Sequence, residues 1–465
     1  MSVISNRKKG FSILKKRIIN FALFMASIIG VTAIVIHGAK ATRLETSGTL
    51  IVVGFCYLVL FLFLMQFRRE VLKVSRKILF MLLIIFAFIL LSKIVTVKYG
   101  KEFIFIIPFA VIPVIIRTFY DSRLALFILL VTIMLSGLMI VQPFEFILMS
   151  FISGMVSIFT LTNIYRRTRL FFTSVSVIIS LSGLYLGFCL MLDGNLHKYL
   201  LSDLLMFCGN GVLVLLSYPL IIVFEQRFLL ISETTLLELS DTNQPLLRKL
   251  AEEAPGSFQH SLQVANLAEE AARAIGAHLL LVRAGALYHD IGKIANPSYF
   301  IENQAEGLSP HENLSPAESG RVIINHVKNG VVLAKNYKLP VQIIDFIRTH
   351  HGTTVAYYFY KKYLDQNPGK TAVEEEFAYP GPKPFSKETA VVMMADAVEA
   401  ASRSLGKYTE EGISELVERI LYLQEQDGQY SDVPLTFKDI SDIKAVFKKR
   451  LLNIYHARIA YPERG

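Results

Sequence analysis

Eight apolar runs in the first 230 residues restrict the possible folds of this chain more than any other feature of its sequence. They lie at about 18–37, 49–66, 78–97, 103–117, 124–141, 146–164, 170–192 and 205–225. A stretch of ~20 mostly apolar residues is long enough to cross a bilayer as a helix, and the run at 103–117 is the shortest candidate. The runs therefore predict a multi-span helical membrane domain.

The balance of charge changes where these runs end. Residues 1–230 carry 23 Lys and Arg against 8 Asp and Glu, whereas residues 231–465 carry 25 against 30. The basic excess belongs to the membrane loops, so it does not support a nucleic-acid polymer as partner, which would need a basic face on the soluble half. Basic residues cluster at the N-terminus and in alternate loops, and the loop at 142–145 has none. Eight crossings would then place the N-terminus and the C-terminal half in the cytoplasm, by the positive-inside rule.

The membrane half is interpreted as an anchor or a signal-input module. A transporter would keep ionisable groups in mid-membrane, and here Lys93 and Glu145 sit near the ends of their runs. The first run is read as a retained anchor, because no small-residue cleavage pattern clearly follows it.

Four segments are predicted along the chain. Residues 1–47 comprise a basic cytoplasmic N-terminus, a first membrane helix and a short extracellular loop; 48–228 form a seven-helix membrane domain; 229–256 are linker helices; and 257–465 form a cytoplasmic all-α domain. The last membrane helix is expected to continue as an amphipathic helix through Leu239. Such a helix could transmit a push or a twist, or serve as a plain spacer, and the sequence leaves both open.

Residues of metal-ligand type recur through the soluble half, on stretches with helical periodicity at about 257–275, 279–291, 317–338, 341–350 and 388–404. They are His260, His289, Asp290, His326, His350, His351 and Asp396. Imidazole and carboxylate groups suit a hydrolytic centre for two transition-metal ions, with an anionic oxygen able to bridge them. Gly292 is expected to permit a tight turn, after which Lys293 places an ammonium where a substrate phosphate needs a counter-charge. His278, His311 and His456 are predicted to lie outside the centre.

These motifs resemble the HD-domain metal-dependent phosphohydrolases, and more closely the seven-transmembrane-receptor HD-domain family of bacterial cyclic di-AMP phosphodiesterases. The matching stretches are 258–262 (FQHSL), 288–293 (YHDIGK), 300–304 (FIENQ), 350–353 (HHGT), 381–384 (GPKP) and 395–400 (ADAVEA). The resemblance implies a dinuclear iron or manganese centre. It also implies hydrolysis of cyclic di-AMP to linear pApA on the cytoplasmic side of a bacterial cell membrane.

Carried over position by position, the resemblance divides the ligands into two overlapping sets. His260, His289, Asp290 and Asp396 would hold one metal, and Asp290, His326, His350 and His351 the other. Asp290 would bridge, a water between the metals would attack phosphorus, and Lys293 would neutralise charge on the phosphoryl oxygens. Lys383 and Arg403 are further candidate substrate contacts.

One departure from the family is large, and three functions stay open. Family members usually place a sizeable extracellular domain after the first span, where this chain has only about 38–48, so extracellular ligand sensing is in doubt. The alternatives to a cyclic di-AMP phosphodiesterase are an HD hydrolase of guanosine tetraphosphate or cyclic di-GMP, and a non-catalytic nucleotide-binding receptor. Adenine preference rests on the resemblance alone. The oligomeric state also stays open, with a homodimer as one alternative.

Overall fold

The computed structural model describes residues 2–38, 41–161, 167–194, 201–304, 309–368, 374–406 and 408–456. It divides the chain into two compact units, Met1–Glu233 and Thr234–Gly465. Within the described residues both units are helical, and the one β-type contact is an isolated bridge between Val355 and Ala378. The predicted all-α class is confirmed.

The first unit is a set of apolar helices. They are α1 (Ser2–Ile36), α2 (Arg43–Phe67), α3 (Arg69–Leu72), α4 (Ser75–Lys98), a 3-10 segment (Lys101–Ile106), α5 (Val111–Phe119), α6 (Ser122–Gly137), α7 (Pro143–Thr160), α8 (Arg167–Asp193), α9 (Leu201–Val214) and α10 (Ser217–Phe228). Seven helical stretches among the described residues are long and apolar enough to cross a membrane. The predicted run at 103–117 is one of them, whereas the run at 124–141 is the shorter helix α6.

Polar side chains in this unit satisfy backbone groups that its helices leave open. The 3-10 segment before α5 interrupts the regular helical bonding, and the Asn210 amide donates to the carbonyls of Phe105 (2.7 Å) and Ile107 (2.9 Å) there. An unsatisfied carbonyl costs several kcal/mol in an apolar medium, so this side chain allows irregular backbone among apolar helices. The core around it is aliphatic and aromatic, with Phe146 and Phe207 fully buried.

The predicted continuous helix from the last membrane run through Leu239 is wrong. Helix α10 ends at Phe228, and Leu229 adopts a left-handed conformation (φ 53°) that a helix does not continue through. The Glu225 side chain then accepts a hydrogen bond from the Ser232 backbone N–H at 2.6 Å. A new helix, α11 (Glu233–Leu239), follows.

The second unit continues with helices that enclose one apolar core. They are α12 (Pro245–Glu253), α13 (Pro255–Ala274), α14 (Leu279–Tyr288), α15 (Pro316–Asn336), α16 (Val341–Thr349), α17 (Tyr357–Gln366), α18 (Lys387–Ser402), α19 (Glu410–Gln426) and α20 (Phe437–His456). Capping boxes start α15 at Ser315 and α18 at Ser386, where the side chain bonds otherwise open N–H groups. Helix α13 packs against α14, α18 and α20. The five predicted helical stretches are confirmed, with ends that shift by a few residues.

The 3-10 turn Ile291–Ala295 presses directly against α15. A Cβ built on Gly292 would lie 1.8 Å from the His326 carbonyl oxygen and 2.5 Å from the Gly330 nitrogen. Gly292 does not have a positive φ. The chain does turn tightly here, as predicted, but the turn itself does not require glycine. The position needs glycine because two backbones nearly touch.

Candidate metal centre

The seven predicted ligands come together from five parts of the second unit. Their positions are His260 in α13, His289 and Asp290 directly after α14, His326 in α15, His350 and His351 directly after α16, and Asp396 in α18. All are buried except His351, which is half-buried. Three triads have donor atoms within 4.8 Å of one another: His260, His289 and Asp396; His289, Asp290 and His350; and His326, His350 and His351. Residues as far as 136 positions apart along the chain thus contribute to one cluster.

The carboxylate of Asp290 lies between the two groups of histidines. Its Oδ2 atom lies 3.6 Å from Nε2 of His260 and 3.3 Å from Nε2 of His289. Its Oδ1 atom lies 3.4 Å from Nε2 of His326 and 3.6 Å from Nε2 of His350. Each oxygen therefore faces a different pair of imidazoles, which is the arrangement a bridging carboxylate needs.

Hydrogen bonds on the far side of three rings fix their tautomers. The Nδ1 atoms of His289, His326 and His350 lie 2.6, 2.6 and 3.0 Å from the carbonyl oxygens three residues earlier. A carbonyl can only accept, so Nδ1 carries the proton in each ring. In the neutral imidazoles Nε2 then presents a bare lone pair to the centre, as a metal ligand must.

The inward-facing donor atoms have the arrangement that a cation requires. Nε2 of His326 and Nε2 of His350 face each other at 3.0 Å, although neither can donate when both rings are neutral. Nε2 of His289 and Oδ1 of Asp290 are buried without a hydrogen-bond partner among the described residues. Unpaired buried polar atoms are costly. The donor set therefore fits divalent cations that nitrogen and carboxylate ligands bind.

The pKa shifts of the cluster residues show that its carboxylates favour positive charge nearby. Burial would lower the pKa of His289, but Asp290 and Asp396 raise it to about 10. Burial would raise the pKa of Asp290, but Lys293 and His289 hold it well below its usual range. Burial lowers the pKa of His350, and the neighbouring His351 adds to the effect. His289, next to the carboxylates, thus attracts a proton, while His350 stays neutral.

Two cations and two further carboxylates surround the cluster. Lys293 Nζ lies 2.7 Å from Asp290 Oδ2 and 2.7 Å from Glu302 Oε1. On the other side, Glu399 contacts His260 Nδ1 and forms an ion pair with Arg403. Four carboxylates against one ammonium and one guanidinium leave the centre negatively charged when its histidines are neutral. Divalent cations would reverse that sign and so favour an anionic substrate.

The predicted substrate contacts lie in different surroundings. Lys293 borders the cluster. Lys383 donates to the carbonyls of Asp427 (3.3 Å) and Gly428 (2.8 Å), which ties the proline-rich segment to that turn. Arg403 donates to Glu399 through two nitrogens, at 2.9 and 2.6 Å.

Two of the three histidines predicted to lie outside the centre have contacts that the structure describes. His278 caps α14, accepting from the Leu281 N–H, and His311 contacts the Tyr299 carbonyl. The His456 side chain lies outside the described residues.

Three residues of the site were not predicted. Glu302 and Glu399 are the buried carboxylates named above, and the Tyr379 ring stacks on the His351 ring at a centroid distance of 4.1 Å. Glu302 and Glu399 lie within the motif stretches 300–304 and 395–400, and the spacing of Glu399 three residues after Asp396 puts both on one face of a helix; these were the signals available in the sequence. Nothing local to Glu302 or Tyr379 indicates their partners.

Family comparisons match both units. Residues 43–232 match the family described as "7TM receptor with intracellular HD hydrolase", and residues 257–401 match the HD domain. The first match covers the helices from α2 to α10.

Two curated relatives resemble most of the chain. The cyclic-di-AMP phosphodiesterase PgpH of Bacillus subtilis is 34% identical over 431 residues, which are 90% of this chain and 60% of the relative. The PgpH of Listeria monocytogenes is 36% identical over 77% of this chain and 50% of the relative. This chain therefore spans little more than half of the length of these relatives.

A solved structure is similar to the second unit. It is the HD domain of the L. monocytogenes phosphodiesterase PgpH in complex with cyclic di-AMP, at 43% identity and a TM-score of 0.44, covering 47% of this chain and all of that one.

Proposed function

Because this chain belongs to the family of seven-transmembrane receptors with an intracellular HD hydrolase domain, we propose that it is a metal-dependent phosphodiesterase that hydrolyses cyclic di-AMP to linear pApA. The observation that carries the proposal is the buried cluster in which Asp290 offers one oxygen to each of two pairs of imidazoles. The identity of the nucleotide is supported by the names of the relatives.

We assign the residues to the two overlapping ligand sets that the family resemblance implies. His260, His289, Asp290 and Asp396 would hold one cation, and Asp290, His326, His350 and His351 the other; the position of Asp290 between the two pairs of imidazoles supports this division. Two divalent cations in such a centre supply Lewis-acid chemistry, since they acidify water and draw charge from a phosphoryl group. Iron and manganese both suit imidazole and carboxylate ligands.

The chain's own groups orient the substrate and balance its charge. In the reaction a water oxygen bonds to one phosphorus, and the bond from that phosphorus to a ribose 3′ oxygen breaks, so the product is linear. Lys293, held between Asp290 and Glu302, would offset charge that develops on the phosphoryl oxygens. We keep Lys383 as a second proposed contact because it follows Tyr379 by four residues, and the Tyr379 ring stacks on the ligand His351; in the structure its ammonium donates to the carbonyls of Asp427 and Gly428.

The chain is a multi-pass membrane protein by its apolar helices and its family match. We place the catalytic domain, 257–465, and the N-terminus in the cytoplasm of a bacterium, with linker helices at 229–256. The excess of Lys and Arg in alternate loops supports this orientation.

A nucleotide panel tests the function. Full-length protein in detergent, supplied with Mn²⁺ or Fe²⁺, is incubated with cyclic di-AMP, cyclic di-GMP and guanosine tetraphosphate, and the products are separated by chromatography. The expected result is pApA from the first nucleotide, with a kcat/KM well above the values for the other two. Faster turnover of a guanine nucleotide would contradict the adenine assignment. Bound but unconverted nucleotide would contradict catalysis.

A further inference from the structure

Four of the five ligand histidines direct Nδ1 to an oxygen within hydrogen-bond distance, and one of these four has a different kind of partner. His289, His326 and His350 each donate Nδ1–H to a neutral backbone carbonyl. His260 instead directs Nδ1 to the carboxylate of Glu399, 139 residues away. We infer that Glu399 and Arg403 form a positioning pair that holds His260 ready for one cation and sets the affinity of that cation. The inference rests on the metal centre of the proposed function.

Two carboxylates of helix α18 contact the two nitrogens of the His260 ring. Asp396 Oδ1 lies 2.9 Å from Nε2, and Glu399, one turn later, contacts Nδ1 through Oε2. Arg403, one further turn along, donates through Nε and Nη2 to Oε1 of Glu399. One oxygen of Glu399 therefore contacts His260 and the other accepts from Arg403. The ligand Asp396, the carboxylate of Glu399 and the guanidinium of Arg403 follow one another along one face of the helix.

A carboxylate does more for a ligand imidazole than a carbonyl does. It fixes the ring and the tautomer, and it raises the basicity of the metal-facing nitrogen, and loss of such a partner typically costs 10- to 100-fold in metal affinity. Glu399 is almost fully buried, with 6% of its surface exposed. A buried carboxylate needs a compensating charge. The guanidinium of Arg403, whose side chain is 38% exposed, supplies it from the edge of the domain.

This assignment gives Arg403 a different task from the substrate contact predicted from the sequence. Loss of a substrate contact would raise KM and leave the metal affinity unchanged. Loss of a positioning residue would lower the affinity for the metal, and turnover would fall only because less metal is bound. The two roles therefore separate in a measurement that contains no nucleotide.

The experiment is Mn²⁺ binding to the full-length protein in detergent, with free Mn²⁺ followed by electron paramagnetic resonance. Glu399→Gln keeps the shape and removes the charge, and Arg403→Gln removes the compensating cation. The matched controls are Glu388→Gln in the first turn of the same helix and Arg450→Gln, which breaks a surface pair with Glu270. We expect Glu399→Gln to weaken one of the two Mn²⁺ sites roughly 10- to 100-fold. Arg403→Gln should weaken the same site by a smaller factor, and both controls should bind as the wild type does.

Two results would contradict the proposed role of Glu399 and Arg403. One is unchanged binding of both Mn²⁺ ions by Glu399→Gln and Arg403→Gln. The other is a rise in KM for cyclic di-AMP in Arg403→Gln with unchanged Mn²⁺ affinity, which would make Arg403 a substrate contact. If Glu399→Gln loses its far-UV circular dichroism, Arg403→Gln and Glu399→Asp carry the test. A wild-type protein that binds two Mn²⁺ ions but does not cleave cyclic di-AMP would contradict the proposed function, and the binding data would still decide on the pair.

Discussion

Nε2 of His326 lies 3.0 Å from Nε2 of His350, while the Nδ1 atom of each ring donates to a backbone carbonyl. Two lone pairs therefore face each other in a buried site. The folded protein is stabilised when a cation binds to them and their neighbours, so metal and stability are coupled.

Removal of metal should destabilise the second unit. We expect a chelator to lower the thermal unfolding midpoint of the full-length protein, and Mn²⁺ to restore it. At a free concentration roughly 100 times the Kd, binding contributes about 2.7 kcal/mol. Circular dichroism measures the midpoint. The control is Asp290→Ala, whose midpoint should not respond to Mn²⁺, and a wild-type midpoint indifferent to chelation would contradict the coupling.

Metal binding should release protons at neutral pH. Although burial opposes it, Asp290 and Asp396 raise the pKa of His289 to about 10, so this ring is protonated at neutral pH in the metal-free protein and must be neutral as a ligand. Binding therefore expels at least one proton and tightens as the pH rises towards that pKa. Calorimetry at neutral pH in two buffers of different ionisation enthalpy counts the protons. Equal heats of binding in both buffers would contradict the predicted release of protons.

Lys293 should act on turnover rather than on metal content. Its ammonium is buried between Asp290 and Glu302 but is no metal ligand. Lys293→Gln removes the charge beside the reacting phosphate, and we expect kcat to fall about 100-fold or more, with two Mn²⁺ ions retained. The matched control is Lys387→Gln, which breaks a pair with Asp439. A kcat close to that of the wild type would show that Lys293 has only a structural role.

Gly292 should tolerate no side chain. A Cβ there would meet the His326 carbonyl oxygen at 1.8 Å, so Gly292→Ala must push α15 away from the turn that follows Asp290. Overpacking of this kind costs about 1–3 kcal/mol of unfolding free energy. The shift also moves His326 relative to Asp290, so Mn²⁺ affinity should fall. Gly406→Ala, with no atom within 4 Å of its Cβ, is the control for denaturant unfolding, and equal stability of the two variants would argue against the close approach.

The sequence predicted those parts of the fold and site that leave a local or compositional trace. Apolar runs and helical periodicity predict the helices, because burial of one face or of a whole helix sets the pattern. Histidines and aspartates that end or face those helices predict the cluster, because few other roles require so many ligand-type residues.

The parts that escaped prediction depend on contacts between distant segments. Glu302 is fixed by Ser257, 45 residues earlier, and Tyr379 meets His351 through a segment with little periodicity. The break after α10 depends on Leu229 adopting a positive φ, which a leucine seldom does and no motif indicates. The tight turn at Gly292 was predicted but the close approach of α15 was not, because a turn and a close approach both favour glycine.

The most direct test of the account is the Asp290→Ala variant of the full-length protein, in which Mn²⁺ stoichiometry and hydrolysis of cyclic di-AMP are measured on one sample. The matched control is Asp365→Ala, which changes an exposed aspartate on α17 and should behave as the wild type does.

Asp290 offers one oxygen to each pair of imidazoles, so its loss should affect both cations at once. The account predicts that Asp290→Ala binds fewer than one Mn²⁺ ion per chain and forms no detectable pApA, whereas the wild type and Asp365→Ala bind two and convert the substrate. An Asp290→Ala protein that keeps two Mn²⁺ ions and full hydrolysis would contradict the two-metal centre.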